Sequence, residues 1–488
     1  MRILIIGGGY SGACFAIQAL VRSGYSLMPG YVTSGTATKT QKLDHDLQIT
    51  IVEPREELGQ GVAYSSNDPD HRINAPSWGH MVLANDVTHF HQWFLENGGL
   101  QRDPQAEDGG LLFPRRIEFG RYLGFLLERP LAEGVVRHVQ DQVVGLENDG
   151  SVLSAKTTGG IMLEADRIVI ATGHLPTSVP GFVSAQARSH RHFVDSPWRV
   201  GALDGIASNA RVLIIGSGLT AADVIASLIR GGHEGPIWVI SRRGLRPQAL
   251  PPPTIAPPLP IWSRLQQPIP DFLRMDIGPM TVRALMRALR ARIAVRAAEG
   301  LSWHEAFDDL RDALYKIWST LDTRNQRQFL RHLRPWYDAY RYRMPPQTGT
   351  VISQAEATGQ LVFEAAQVIA LTSLPDDSDF RAKVRTRGSN SIRDQHFDAV
   401  VNCTGPGQVI TGVNPLFDDL LTKGIARVHA SGIGLDVDQH MGLVNSTGRS
   451  DPAIRLIGPP GSGALGDPIG AVFICAHIDR MMGPFLAC

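Results

Sequence analysis

The chain has 488 residues, and its 47 lysines and arginines are balanced by 47 aspartates and glutamates. This length predicts two or three domains, and the balanced charge argues against a nucleic-acid-binding or membrane-surface protein. No apolar run reaches the roughly 20 residues needed to span a bilayer. The four cysteines are scattered, with no C-x-x-C pair and no metal-ligand spacing. We therefore expect a cytoplasmic protein without a metal site or a dithiol redox centre.

The first predicted element is an aliphatic strand that runs into a glycine-rich turn. Arg2–Ile6 is followed by Gly7–Gly12, which has the spacing G-x-G-x-x-G, and a helix comes next. Such a turn lets backbone N–H groups approach a pyrophosphate at the positive end of the helix. The next predicted strand, Gln48–Val52, ends in Glu53, whose carboxylate suits the hydroxyls of an unphosphorylated ribose. The pattern predicts a dinucleotide site, with residues 25–47 as a loop inserted before the second strand.

Further strands are predicted downstream of this unit. Residues 135–144, 152–157 and 161–163 alternate in hydrophobicity and resemble a meander. They lead to the aliphatic run Arg167–Ile170, which is followed by Ala171-Thr172-Gly173. This arrangement continues the pattern of strands and turns expected of an α/β domain.

A second glycine turn begins about two hundred residues after the first. The predicted strand Arg211–Ile215 runs into Gly216–Ala221, and alanine at the last position is tolerated in this fingerprint. The following strand, Pro236–Ile240, ends in Ser241, Arg242 and Arg243 rather than in an acid. Two guanidinium groups at this point could bind a ribose 2′-phosphate, which favours NADPH over NADH. The alternative is that they are two solvated surface arginines.

The remaining elements complete an α/β fold class with two Rossmann-like dinucleotide-binding domains. A proline-dense break over 247–260 can form neither a helix interior nor a central strand. Helical periodicity follows from Met280 to about Arg334. The chain then ends in a further strand, loop and helix over 454–482. The helical region is therefore predicted to be an insertion.

Five segments identify a family resemblance, and they are Gly59–Tyr64, His71–Pro76, Phe113–Arg116, Ser241–Leu245 and Tyr340–Pro346. The chain resembles the FAD/NAD(P)-binding family of two-dinucleotide-domain flavoproteins, related to bacterial flavin N-hydroxylating monooxygenases including the aspartate N-monooxygenase type. The resemblance implies a glutathione-reductase-like fold, with an FAD-binding domain over 1–195 and 400–488. It also implies a nested NADPH-binding domain over 205–250 and 345–400, and a helical insertion over 250–345 near the substrate cleft.

The resemblance also implies the residues that bind each cofactor. Gly61–Tyr64 and Asn74–Pro76 would line the isoalloxazine ring, and Val143 would touch the adenine. The residues implied for FAD are Gly7, Gly8, Gly9, Tyr10, Ser11, Gly12, Glu53, Pro54, Gly61, Val62, Ala63, Tyr64, Asn74, Ala75, Pro76, Val143, Ala171, Thr172, Gly173, Asp467 and Gly470. Those implied for NADPH are Gly216, Ser217, Gly218, Leu219, Thr220, Ala221, Ser241, Arg242, Arg243, Thr404 and Gly405.

The chain departs from related patterns at several positions. His174 follows Ala171–Gly173 where N-hydroxylases carry Tyr, and His192 and Trp198 have the wrong spacing for a Baeyer–Villiger fingerprint. Asp467 would lie near the flavin side chain or would simply cap the last helix. The helix start at Ile469–Gly470 would point at the pyrimidine edge, where a positive helix end stabilises reduced flavin.

No pair of cysteines is placed to receive electrons from the flavin. Cys14 in the first helix and Cys403 at a strand end are expected to have no partner and to act as small hydrophobic residues. Electrons are therefore expected to pass to oxygen or a small oxidant. This chemistry belongs to the cofactor and needs no particular catalytic side chain.

Three side chains are candidates for a direct role in the chemistry. His80 could lie near the flavin, although a satisfied loop histidine is the alternative. Arg341 and Arg343 belong to a run of basic and aromatic residues that could bind a substrate carboxylate. The same run could be a solvated helix face or an interface, and nucleic acid is disfavoured by the neutral whole-chain charge. The other members of this run are Arg331, His332, Arg334, Trp336, Tyr337, Tyr340 and Tyr342.

These observations predict an FAD-dependent oxidoreductase that is reduced by NADPH. A monooxygenase acting on a small amine or amino acid is favoured, with O2 as co-substrate and with homo-oligomerisation open. One alternative is an NADPH oxidase or reductase of the same fold that passes electrons to a small acceptor. Another is a flavin-binding module with little turnover.

Overall fold

The computed structural model describes residues 1–27, 47–148, 152–251, 263, 266–274, 280–374, 379–389, 391–466 and 470–487, so most of the predicted loop 25–47 lies outside them. Within these ranges no helix has the length and apolar character needed to cross a membrane. The strands are β1 (Arg2–Ile6), β2 (Gln48–Val52), β3 (Glu107–Asp108), β4 (Leu111–Leu112), β5 (Val136–Val139), β6 (Val143–Asn148), β7 (Leu153–Thr157), β8 (Met162–Ala165), β9 (Arg167–Ile170), β10 (Phe193–Val194), β11 (Val212–Ile215), β12 (Ile237–Ser241), β13 (Leu361–Ser373), β14 (Phe380–Thr386), β15 (Ile392–Phe397), β16 (Ala399–Asn402), β17 (Gly442–Val444) and β18 (Ser450–Leu456).

Helices follow the glycine turns and fill the insertion between β12 and β13, whereas β5 to β9 follow one another with no helix between them in the described residues. The helices are α1 (Tyr10–Arg22), α2 (His89–Glu96), α3 (Gly99–Arg102), α4 (Arg116–Ala132), α5 (Ala185–Ser189), α6 (Leu219–Arg230), α7 (Val282–Ala298), α8 (His304–Trp318), α9 (Thr323–Gln328), α10 (Arg334–Arg341), α11 (Pro346–Ala357), α12 (Pro415–Thr422), α13 (Ser462–Leu465) and α14 (Ala471–Ala487). A π-helical turn over Phe329–Leu333 joins α9 to α10.

The first sheet contains both ends of the chain. Its strand order is β17-β18-β9-β1-β2-β5, and all neighbours except β17 and β18 pair in parallel. The central strand β1 is an aliphatic run that is buried from its second residue on, as expected for a parallel strand covered on both faces. One face packs against α1, α4 and α14, and the other against β6, β7 and α12.

The second sheet repeats the central arrangement of the first. Its order is β10-β16-β11-β12-β13-β14-β15, parallel up to β13 and antiparallel beyond it. The second sheet contains the neighbouring strands β16-β11-β12, which correspond to β9-β1-β2 of the first sheet. In each set of three strands, the glycine turn follows the central strand. The alternating burial of β14 reflects its alternating sequence Phe-Arg-Ala-Lys-Val-Arg-Thr. The fold is therefore the predicted pair of Rossmann-like units.

Two expectations about strands need correction. Residues 135–144 do not form one strand of a meander, because β5 joins the first sheet while β6, β7 and β8 form a separate three-stranded sheet. β10 pairs with β16 of the second sheet, although Phe193 and Val194 fell within the range 1–195 assigned to the FAD-binding domain. A two-residue edge strand carries too little periodicity to be assigned to a sheet from sequence.

The helical insertion has its own core and is attached to the first sheet unit. α7, α8 and the segment after α9 surround a cluster that includes Leu285, Phe307 and Trp318. The Trp318 indole N–H donates a hydrogen bond of 2.8 Å to the carbonyl of Gly463, which precedes α14. The insertion thus contacts α13, the short helix that precedes α14 in the chain.

Candidate cofactor sites and the cavity between them

The first glycine turn is sterically restricted to glycine. Gly7 has φ +104°, and a Cβ on it would lie 2.5 Å from the Ala171 carbonyl oxygen. A Cβ on Gly12 would lie 2.0 Å from the Gly7 carbonyl oxygen. A Cβ on Gly9 would lie 3.3 Å from the Cα of Gly61, which belongs to a second loop over the turn. The missing side chains leave a cradle of backbone at the N-terminus of α1, which fits a pyrophosphate.

Two polar groups face this turn. The buried Glu53 carboxylate at the end of β2 accepts a hydrogen bond of 2.8 Å from the Gly8 N–H and one of 3.2 Å from the Arg55 N–H. The Thr172 hydroxyl, after β9, is buried and has no hydrogen-bond partner among the described residues. A carboxylate with remaining lone pairs and an unused hydroxyl are groups that a ribose and a phosphate can satisfy. The turn therefore fits the sugar-phosphate part of FAD.

The second glycine turn has the same geometry. Gly216 has φ +102°, and a Cβ on it would lie 2.3 Å from the Cys403 carbonyl oxygen. Cys403-Thr404-Gly405 after β16 thus takes the place that Ala171–Gly173 takes after β9. No heavy atom lies within 4 Å of where a Cβ on Gly218 would be, so this turn is open in front of α6.

Three arginines gather beside the second turn. Arg242 and Arg243 follow β12, and burial together with the charges of Arg242 and Arg387 lowers the pKa of Arg243. Arg243 also donates a hydrogen bond of 3.1 Å to the His332 carbonyl of the insertion. Arg387 lies in the turn after β14 and was missed by the sequence reasoning, because nothing local links it to a nucleotide-binding turn. This concentration of positive charge fits a 2′-phosphate.

The insertion, the first sheet unit and the start of α14 line an open cavity of about 540 Å³. The Tyr10 hydroxyl at the start of α1 lies 2.6 Å from the Met81 carbonyl and 2.7 Å from the Ala471 carbonyl. This hydroxyl connects the first glycine turn to the start of α14, which lines the cavity, and to the residue that follows His80. Predicted site residues that line the cavity are Tyr64, Asn74, Ala75, Pro76, His80, Arg341, Arg343 and Gly470.

His80 is a buried wall residue of this cavity. Its ring packs edge-on against Tyr64 and Phe119, with ring centroids 6.2 Å and 5.3 Å away. Burial, reinforced by the charge of Arg116, lowers its pKa to about 3. Its Nδ1 has no hydrogen-bond partner within the described parts of the chain. His80 is therefore a neutral imidazole at physiological pH.

The depressed pKa predicts a dependence of stability on pH. Between its unfolded pKa of about 6.5 and its folded value, His80 binds protons more readily in the unfolded chain, so it removes stability as the pH falls below about 6.5. From about pH 7.5 to pH 5, we expect the wild type to lose about 2 kcal/mol more stability than His80→Phe. Urea unfolding of both FAD-saturated proteins at the two pH values measures this difference. Parallel pH dependences would show that His80 is protonated in the fold.

Arg341 and Arg343 have different surroundings. The buried Arg343 guanidinium donates to the Asp308 carboxylate at 2.7 Å and 3.3 Å, and its Nε donates to the Tyr340 carbonyl. Arg311 pairs with the same Asp308 at 2.9 Å. Arg343 is thus paired with Asp308 within the insertion, and both predicted arginines line the cavity and stay candidates for binding a carboxylate.

A buried ion pair braces the loop that carries Asn74–Pro76. Arg72 donates to the two Asp103 carboxylate oxygens at 2.9 Å and 3.0 Å, and both side chains are essentially inaccessible to solvent. The Arg115 N–H donates to the same carboxylate at 2.9 Å. Asp103 therefore joins the two motifs His71–Pro76 and Phe113–Arg116. Its role was missed because neither motif contains it.

Further ion pairs join the two sheet units. Arg116 at the start of α4 contacts Asp223 of α6 at 2.8 Å, and its guanidinium lies over the Trp198 ring at 5.4 Å. Arg230 at the end of α6 contacts Asp70 at 2.5 Å. α6 is thus fixed at both ends against the first unit. Trp198 is therefore a packing residue at this junction.

The remaining predicted residues lie in several environments. Val143 is buried at the start of β6, while Pro54, Val62 and Ala63 are exposed. Asp467 and Ile469 lie outside the described residues. The first turn of α6 consists of Leu219, Thr220 and Ala221, and the first turn of α1 consists of Tyr10, Ser11 and Gly12. The Ser217 hydroxyl lies 2.8 Å from the Ser241 hydroxyl.

Cys14 lies near Cys475, and both are free cysteines. The Gln18 side-chain amide lies 3.3 Å from the Cys14 sulfur and 3.4 Å from the Cys475 sulfur, between α1 and α14. Both thiols are fully buried, and burial raises the pKa of Cys475 and of Cys403. Sequence could not bring together residues more than 450 positions apart. In the described part of the chain, no group of histidine, cysteine or acidic side chains is arranged to hold a metal ion.

Comparisons with known proteins agree with this geometry. Residues 4–175 match a family model described as FAD-NAD(P)-binding. Residues 110–250 match one described as L-lysine 6-monooxygenase/L-ornithine 5-monooxygenase. No curated protein matches the sequence significantly.

Solved structures of similar fold extend over nearly the whole chain. An ornithine N-hydroxylase of Kutzneria sp. 744 is 16% identical with a TM-score of 0.62, and 99% of this chain and 98% of that chain are covered. The L-lysine 6-monooxygenase of Pseudomonas syringae is 15% identical with a TM-score of 0.63, at coverages of 99% and 98%. A cadaverine monooxygenase of Erwinia amylovora, solved with FAD, is 12% identical with a TM-score of 0.62, at coverages of 100% and 94%. At these identities the likeness establishes the fold, and the predicted fold class is confirmed.

Proposed function

We propose that this chain is an FAD-containing, NADPH-dependent monooxygenase that hydroxylates a small primary amine. It has the fold of the flavin N-hydroxylating monooxygenases, and residues 110–250 match the lysine and ornithine monooxygenase model. The observation that carries the proposal is the pair of geometrically equivalent glycine turns with opposite charge beside them. Glu53 faces the first turn, and Arg242, Arg243 and Arg387 gather at the second. A carboxylate suits the free ribose of FAD, and arginines suit the phosphorylated ribose of NADPH.

In this proposal each sheet unit holds one cofactor. The N–H groups at the start of α1 bind the FAD pyrophosphate, and Asn74–Pro76 and Tyr64 line the isoalloxazine end of the cavity. The N–H groups at the start of α6 bind the NADPH pyrophosphate, with Thr404 and Gly405 beside the second turn. When bound, FAD supplies hydride acceptance and oxygen activation. A cytoplasmic location fits a protein with buried, reduced cysteines and a requirement for NADPH.

The cavity supports an amine as substrate. An amine reacts as a nucleophile only when it is unprotonated. The aromatic part of the cavity wall favours this neutral form, whereas the carboxylates of Asp108, Asp308 and Asp312 in the same lining favour the ammonium form. Trp78, Phe113 and Phe473 contribute aromatic surface to the cavity, and His80 is a neutral wall residue. Lysine, ornithine and cadaverine appear in the names of the matching family and structures, so they are the first amines to test.

The proposal is tested by following NADPH oxidation and product together. The FAD-loaded protein should be reduced by NADPH much faster than by NADH, and one amine should yield a hydroxylamine in proportion to NADPH consumed. Peroxide release without hydroxylamine for every amine would favour the NADPH oxidase alternative. Failure of both nicotinamides to reduce the bound FAD would leave only a flavin-binding module.

Replacing Arg242 and Arg243 by alanine tests the NADPH assignment. We expect the KM for NADPH to rise about 10- to 100-fold, since each hydrogen bond to a charged group contributes about 1.5–3 kcal/mol and Arg387 remains. The KM for NADH should change little, because NADH has no 2′-phosphate. Arg283→Ala, at an exposed arginine of α7, is the matched control. A double variant with wild-type NADPH kinetics would show that the two arginines are only surface residues.

A further inference from the structure

Helix α7 of the insertion has a solvent-facing side on which arginine is the only polar residue. Its 17 residues, Val282–Ala298, are arginines, alanines and larger aliphatic residues, with no acid among them. Leu285 and Leu289 pack into the core of the insertion, so the other side of the helix faces solvent. A helix face in water is normally covered by a mixture of charged and polar residues. The composition of α7 is therefore unusual for a surface helix.

Three of its arginines form a row without partners. Arg283, Arg287 and Arg290 are spaced i, i+4 and i+7, which places them on one side of the helix, and all three are exposed. None of the three has a hydrogen bond or an ion pair with the described residues. By contrast, Arg296 of the same helix pairs with Glu305 of α8. The row is thus a patch of positive charge that the described chain leaves uncompensated.

This row is unfavourable for the isolated chain. Like charges spaced three and four residues apart repel one another along a helix. Arg283 also lies in the first turn, where the helix dipole disfavours positive charge, and no acid in that turn offsets it. Both effects destabilise α7, so the gain that accounts for the row is to be sought in a contact with another molecule.

Small residues continue the exposed side of α7 beyond the row. Ala291, Ala294 and Ala298 are exposed, and Val295 beside them is 50% exposed. Because alanines project little from a helix, a second helix can lie closer here than at a face of long side chains. The arginine row and these four residues together form what we call the outer face of α7. This face offers charge at one half and close apolar contact at the other.

We propose that the outer face of α7 binds an acidic helix of a partner protein, whose carboxylates pair with Arg283, Arg287 and Arg290. Charge complementarity selects this occupant, because a guanidinium row fits carboxylates at the same helical spacing. A second copy of this chain docked through the same face would bring two rows of arginines together, and they would repel. None of the residues of the outer face lines the cavity. The proposal is therefore independent of the proposed function.

Two other anionic partners fit the outer face less well. The whole chain has no net charge, and α7 has none of the lysine, serine, threonine, asparagine or glutamine side chains that commonly contact nucleic-acid phosphates. An anionic membrane is bound by helices that insert large apolar side chains, whereas alanines prevail beside the arginine row. The observations therefore favour a protein surface.

The test uses a labelled synthetic helical peptide with glutamates at i, i+4 and i+7 and alanine and leucine on the adjoining surface. Fluorescence anisotropy at about 0.1 M salt measures its binding to the full-length protein. Combining Arg287→Glu with Arg290→Glu should weaken binding of this peptide at least about tenfold. A peptide with lysines in place of the glutamates should bind the double variant more tightly than the wild type. Arg137→Glu, at an exposed arginine of β5, is the matched control and should bind the acidic peptide like the wild type.

Thermal unfolding of the same variants separates docking from a structural role. Removal of the like-charge repulsion should leave the double variant with a Tm at or above that of the wild type, while its peptide binding is lost. If the double variant does not fold, Arg287→Gln with Arg290→Gln takes its place and should weaken binding at least about threefold.

Several results would overturn the proposal. These are a wild type that does not bind the acidic peptide, and binding that is unchanged when the two arginines are replaced. A third is equal binding of the acidic and basic peptides to the wild type. Tighter binding of a DNA duplex or of phosphatidylserine vesicles than of the acidic peptide, lost in the same double variant, would assign the outer face to another class of partner and also overturn the proposal.

Discussion

Replacing Asp103 by asparagine is expected to lower the free energy of unfolding by about 3–5 kcal/mol, because it leaves the Arg72 guanidinium buried without a counter-ion. Asn keeps the size of Asp and one carbonyl acceptor, so the loss reports on charge rather than on volume. Asp103 also accepts the Arg115 N–H at 2.9 Å, so the change weakens the junction between two cavity-forming segments. Urea denaturation of the FAD-free protein, with the m-value compared between variants, measures the effect.

A double variant separates the cost of an unpaired charge from the value of the pair. Arg72→Met combined with Asp103→Leu removes both charges, and we expect it to recover most of the stability lost in the single variant. Glu133→Gln provides a matched control, since Glu133 pairs with Arg129 at 2.6 Å on an exposed helix surface. That pair should contribute less than about 1 kcal/mol. Equal losses for Asp103→Asn and Glu133→Gln would contradict the importance of burial.

The parts of the fold that could be predicted from sequence are those with local signals. Each glycine turn lies between an aliphatic strand and a helix, so strand, turn and helix are specified within about fifteen residues. The charge that follows the next strand, Glu53 in one unit and Arg242 with Arg243 in the other, is also a local signal. The FAD and NADPH predictions rest on these signals and agree with the FAD-NAD(P)-binding family match.

The parts that sequence could not supply depend on contacts between distant segments. Asp103 pairs with Arg72 across 31 positions. The charge of Arg387, in the turn between β14 and β15, lowers the pKa of Arg243 after β12. Asp223 pairs with Arg116 across 107 positions. An isolated acid or arginine carries no periodic signal, so its partner is known only when the sheets are assembled. From sequence, Arg341 and Arg343 were both predicted to bind a substrate carboxylate. Only their surroundings in the fold distinguish these two arginines.

Replacing Gly12 by alanine is expected to weaken FAD binding about 10- to 100-fold, because overpacking of this kind costs about 1–3 kcal/mol. The new Cβ would lie 2.0 Å from the Gly7 carbonyl oxygen, so the turn must open to accept it. Sequence alone would treat the change as mild, since Ala221 occupies the corresponding position in the second turn. The measurement is the FAD content per chain and the FAD affinity of the apoprotein by fluorescence quenching.

Gly124→Ala is the matched control for this substitution. Gly124 lies within α4, and the nearest atom to a Cβ on it would be the Leu58 carbonyl oxygen at 3.9 Å, which is an ordinary contact. Alanine there should raise stability by up to about 1 kcal/mol through helix propensity, with FAD affinity unchanged. If Gly12→Ala bound FAD as tightly as Gly124→Ala, the first turn would be a tight connection rather than a cofactor site. A selective loss in Gly12→Ala would instead show that the backbone cradle, rather than the stability of the domain, holds the cofactor.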